Sequence, residues 1–105
     1  MQKRFITRGI VMTSGINASL KREEFDSMEL LELVKRHFAN DGDECAEDKK
    51  YNEYAIKHKD GRVFSVFKNF HGHKIYISTD GLHLANDPKY GREYPYTTIM
   101  FAEEY

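Results

Sequence analysis

Hydrophobic residues recur along this chain with two different periods. Over "DSMELLELVKRHF", Leu30, Leu31, Val34 and Phe38 fall at helical spacing and form one apolar stripe. Asp26 and Glu29 stand three apart at its start, as in a capping box, and Lys35, Arg36 and His37 suit the negative pole at its end. "NDGD" stops this helix, with Gly42 the expected left-handed residue. A second helix is predicted from about Glu44 to His58, with Asp43 as N-cap and with Glu44, Glu47 and Asp48 in the first turns. Tyr51, Tyr54, Ala55 and His58 share one side of it, with Cys45, Asn52 and Ile56 on an adjoining one, and Glu53 and Lys57 form an i,i+4 surface pair. After "KDG" the period changes to two. "RVFSVFK" and "KIYIST", separated by "NFHGH", predict a hairpin with Gly72 in its turn.

The flanks are shorter. "RFITRGIVM" reads as a strand kinked at Gly9, and "TSGINASL" as a short helix capped by Thr13 or Ser14. After the hairpin, "LHLANDPKYGREYP" is a polar loop, and "YTTIMF" supplies a last strand before "AEEY". These elements predict one α+β domain over residues 1–105: a mostly antiparallel sheet of about four strands, with two or three helices packed on one face.

Composition adds a charge asymmetry that the net value of −1 hides. Residues 1–22 carry five basic groups and no acid, residues 23–53 eleven acids against four bases, and residues 54–105 six acids against seven bases. The middle segment is therefore where an electrostatic partner is sought, against the plainer reading that its acids are solvated helix faces. The single cysteine, Cys45, allows no internal disulfide. The first residues lack the apolar run of a signal peptide and no eighteen consecutive residues are apolar, so a cytoplasmic location without membrane contact is expected.

Candidate chemistry is sparse. His71 and His73 flank Gly72 and, with His83, could make three imidazole ligands; such a site also needs a fourth ligand or water, exposed turn histidines are the plainer reading, and no metal is expected. Cys45 stands near a helix N-terminus without a flanking nucleophile signature. Glu47 and Asp48 diverge by about 100° on a helix and do not make an acid–base pair. Neither a Walker loop nor G-x-G-x-x-G occurs, so no catalytic residue and no cofactor are expected. Lys3, Arg4 and Arg8, interleaved with Phe5, are candidate contacts to nucleic acid.

The series "GIVMTSG", "LLELVKRH", "GDECAEDKKYNEYAIKHKDGRVFSVF", "GHKIYIST" and "TTIMFAEEY" resembles a family of short uncharacterised proteins carried on bacterial plasmids and phages. The chain departs from that pattern in having Ile75 and Tyr76 where a Trp usually begins the strand after the hairpin turn, and in a longer stretch from Asp80 to Tyr96. The resemblance implies a mobile-element protein that acts by binding, most simply a counter-defence inhibitor of a CRISPR-Cas nuclease or a restriction complex. Its expected partner-binding residues are Glu44, Glu47, Asp48 and Glu53 on the acidic helix, with Tyr90, Tyr94 and Tyr96 as loop anchors. The alternative is a small nucleic-acid-binding accessory protein that uses Lys3, Arg4 and Arg8.

Overall fold

A computed structural model describes residues 3–105. Four strands, β1 (Ile10–Met12), β2 (Val63–Phe70), β3 (His73–Asp80) and β4 (Tyr96–Phe101), form a sheet in the order β1-β4-β3-β2. The β2–β3 and β3–β4 pairs are antiparallel and the β1–β4 pair is parallel. Three helices, α1 (Ser14–Lys21), α2 (Ser27–Phe38) and α3 (Ala46–His58), lie between β1 and β2 in sequence. The fold class is the expected α+β.

Alternation assigns the core face of the sheet. Val63 and Phe67 of β2, Ile75 and Ile77 of β3, and Ile99 and Phe101 of β4 are buried and share one core with Ile16, Phe25, Leu30, Leu33, Val34 and Phe38 of the helical half. The hairpin closes through His71 and Gly72, with φ of 52° and 80°; both lie in the left-handed region, which Gly72 adopts freely and His71 adopts as a side-chain-bearing residue. α2 begins with the expected capping box, in which Asp26 accepts from the Glu29 N–H and the Glu29 side chain from the Asp26 N–H.

Several boundaries differ from expectation for identifiable reasons. Residues 4–9 are not strand, because the Arg4 N–H bonds to the Phe38 carbonyl and Phe5 turns into the core; the Arg8 N–H meets the Pro95 carbonyl, but the regular register with β4 starts at Ile10. Thr13 occupies the N-cap of α1 without capping it. Its hydroxyl donates to Glu104, whose carboxylate accepts from the Gly15 N–H at 3.2 Å, so a C-terminal residue completes that helix end. At the end of α2, Asn40 rather than Gly42 takes the left-handed conformation, with φ 54°. α3 starts at Ala46 with Cys45 as N-cap, because Asp43 and Glu44 are engaged elsewhere.

A buried chain of hydrogen bonds crosses the sheet beneath α2. Ser65 of β2 meets His37 Nδ1 at 2.7 Å, His37 Nε2 meets Thr79 of β3 at 2.8 Å, and Thr79 meets Thr97 of β4 at 2.8 Å. Thr97 reaches Thr7, whose hydroxyl ends on the Gly9 carbonyl. A carbonyl only accepts, so the donors run one way: Thr7 to Gly9, Thr97 to Thr7, Thr79 to Thr97, His37 Nε2–H to Thr79, and Ser65 to Nδ1. That order places a proton on Nε2, and a neutral ring then leaves Nδ1 to accept from Ser65. Burial holds the ring neutral, pushing the His37 pKa down to about 3.

Candidate functional site

The acidic segment divides into an inner and an outer set. β2 is an edge strand, and its ladder with β3 leaves the backbone groups of Phe64, Val66 and Lys68 pointing outward. Asn52 uses its amide as a peptide would: Oδ1 accepts from the Phe64 N–H at 3.0 Å, and Nδ2 donates to the Phe64 carbonyl at 2.9 Å. Glu44 accepts from the Val66 N–H, the Asp43 N–H donates to the Val66 carbonyl, and the Asp43 carboxylate accepts from the Lys68 N–H. The Lys68 N–H, more than any other group, holds the Asp43 carboxyl below its ordinary pKa. Residues 43–52 thus close the edge without supplying a strand.

Gly42 permits that approach, since a Cβ there would collide with the Glu44 carboxylate and press on the Val66 carbonyl. Glu44 is only 7% exposed and bonds to Asn52 as well as to Val66, so its expected place on an acidic docking surface is corrected: it is a structural acceptor. Glu53 is spoken for too. It pairs with Arg4 rather than Lys57, accepts from Asn40, and has its pKa lowered to about 2, chiefly by Arg4 and then by Asn40.

Glu47, Lys50, Tyr51 and Tyr54 line a shallow apolar depression on the outer side of α3. Asp48 is exposed beside them, and Tyr51 and Tyr54 are 67% and 59% exposed. Helical spacing puts the two tyrosines on the same side as Ala55, yet Ala55 is buried. They face outward because Asn52 and Ala55 take the inward positions.

Tyr90, Tyr94 and Tyr96 do come together, with ring centroids 6.4 Å apart for the first pair and 5.3 Å for the second. Tyr94 is half-buried against Gly81, while Tyr90 and Tyr96 are exposed. They do not join the acidic residues: Tyr96 pairs with Asp80 at the open end of the β2–β3 hairpin, whereas Glu44 bonds to Val66, nearer its tip, at the outer edge of the sheet.

The basic trio is spread over three separate contacts. Lys3 lies over the Phe38 ring, Arg4 bonds to Glu53, and Arg8 Nε donates to the Gly91 carbonyl. His71 pairs with Glu29, and His73 lies 4.8 Å from the Phe101 ring. Among the described residues, no three His, Cys, Asp or Glu side chains converge as a metal site. Among the described residues, no helix is long and apolar enough to cross a membrane.

Comparison of the chain with protein-family models, with curated proteins and with solved structures finds no match.

Proposed function

We propose that this chain is a non-enzymatic binding protein of a mobile element, and that it inhibits a CRISPR-Cas nuclease or restriction complex of its host or of a competitor. The observation that carries the binding reading is the outer side of α3, where Tyr51 and Tyr54 stand in solvent beside Glu47 and Asp48. Tyrosine presented on a rigid helix covers a large area at low entropic cost, which suits an interface anchor. Two carboxylates beside it suit a cationic nucleic-acid channel, and charge complementarity of that kind speeds and orients association. The mobile-element resemblance supplies the class of target. Tyr90 and Tyr96 form a second, separate contact surface.

The test is DNA cleavage by a panel of purified Cas nucleases and restriction enzymes, with and without the protein. Stoichiometric inhibition of one of them is expected, lost in the pair Tyr51→Ala and Tyr54→Ala and weakened by Glu47→Lys with Asp48→Lys. No inhibition across the panel, together with salt-sensitive binding of the protein to DNA, would replace this reading with the nucleic-acid one.

A further inference from the structure

β1 forms the other edge of the sheet, and among the described residues only Asn17 reaches its outward backbone groups. Its parallel register with β4, Ile10 against Thr97 through Met12 against Ile99, uses the Gly9 carbonyl, both groups of Val11 and the Thr13 N–H. The backbone groups of Ile10 and Met12 therefore point away from the sheet. Asn17 Nδ2 donates to the Met12 carbonyl at 3.3 Å. Among the described residues, the Ile10 N–H, the Ile10 carbonyl and the Met12 N–H have no hydrogen-bonding partner. The side chains add to this: Ile10 is 47% and Val11 54% exposed, Met12 is exposed, and no charge or proline interrupts the strand. An edge of this kind is a template for another strand.

We propose that the occupant is β1 of a second copy of this chain, paired antiparallel about a two-fold axis through Ile10 and joining two four-stranded sheets into one of eight. The outward pattern is self-complementary. A residue presenting both N–H and carbonyl, set opposite its own symmetry mate, completes a two-bond pair. The charges also select this arrangement. Arg8 lies exposed at the N-terminal end of β1, and Glu104 sits at the C-terminal end, where Thr13 donates to it at 2.6 Å. Antiparallel pairing brings the basic end of each copy toward the acidic end of the other. A three-residue strand buries little area, so association is weak and concentration-dependent.

The experiment uses the full chain. Sedimentation equilibrium from micromolar to millimolar protein is expected to show a monomer–dimer equilibrium, abolished by Ile10→Lys with an unchanged circular-dichroism spectrum and unfolding midpoint. In a Cys45→Ser background, Ile10→Cys is expected to form a disulfide dimer on mild oxidation. A hydrogen-bonded antiparallel pair sets its Cα atoms about 5.5 Å apart, within disulfide reach. Val11→Cys, which faces Gly9 and not itself across the axis, should cross-link at least about tenfold more slowly. A monomer at every concentration would overturn the proposal, as would equal cross-linking of the two cysteine variants. So would a monomer whose Ile10→Lys variant loses its nuclease target, a result that would give the edge to a foreign strand.

Discussion

β2 and β1 are the edges of one sheet, yet five outward backbone groups of β2 meet partners in residues 43–52, whereas β1 has only its Met12 carbonyl occupied among the described residues. The partners of β2 are a carboxamide and two carboxylate residues, together with one backbone N–H, brought close by Gly42. Carboxamide and carboxylate groups can answer N–H and carbonyl groups as a strand would, but end the ladder there, which is how a sheet avoids pairing with its neighbours. The side of β1 shows apolar side chains instead. Among the described residues, one edge is finished within the chain and the other is left largely open.

The largest effect on this contrast should come from Asn52→Leu. It leaves the Phe64 N–H and carbonyl unpaired, and with each such group costing roughly 1–3 kcal/mol, urea unfolding should show a loss of about 3 kcal/mol. A loss within about 0.5 kcal/mol would mean that Asn52 does not carry the edge.

Acid should come next, through the hydrogen-bonded chain that runs from Ser65 on the closed edge to Thr7 beside the open one. His37 titrates near 3 when folded and near 6.5 when unfolded, so the unfolded chain binds the extra proton between those values. Stability then rises with pH across that window and is lost on acidification, by roughly 2–3 kcal/mol between about pH 6.5 and pH 4.5 if no other group titrates. Thermal unfolding across that range measures it; a flat profile would show that His37 is not held neutral.

A smaller loss, about 1 kcal/mol by the same urea measurement, is expected for Glu44→Gln, which keeps one acceptor oxygen but sets an NH₂ group against either the Val66 N–H or Asn52 Nδ2. The smallest belongs to the open edge. Ile10→Lys changes an exposed side chain and should move folding stability by less than about 0.5 kcal/mol while removing self-association.

The comparison also shows what the sequence could reveal. Alternation in "RVFSVFK" and "KIYIST", the turn at Gly72, and the capping box of Asp26 and Glu29 are local signals, and the structure reproduces them. The partition of the acidic segment is not local. Glu44 and Glu47 are the same residue type three positions apart, and only the distance to Val66 makes one a buried acceptor and leaves the other in solvent. Helical spacing places Asn52 beside Cys45 and Ile56 but does not show its task, because its partner, Phe64, lies in the next element. Glu104 as the cap of α1, 89 residues from Gly15, had no signal of its own beside a Thr-Ser pair that suits the same task. His37 stands in a run with Lys35 and Arg36 that suits the negative pole of a helix, and nothing local marks its imidazole as turning inward. Gly9 lies not within a strand, as a kink would, but just before one, whose register with β4 begins at Ile10.

Amide hydrogen exchange at low protein concentration, read residue by residue by NMR, tests the unequal edges most directly. The Phe64, Val66 and Lys68 amides should be protected as a paired strand is, while the Ile10 and Met12 amides exchange at nearly the rate of an open chain. Equal exchange at both edges would contradict the closure of β2 by Asp43, Glu44 and Asn52.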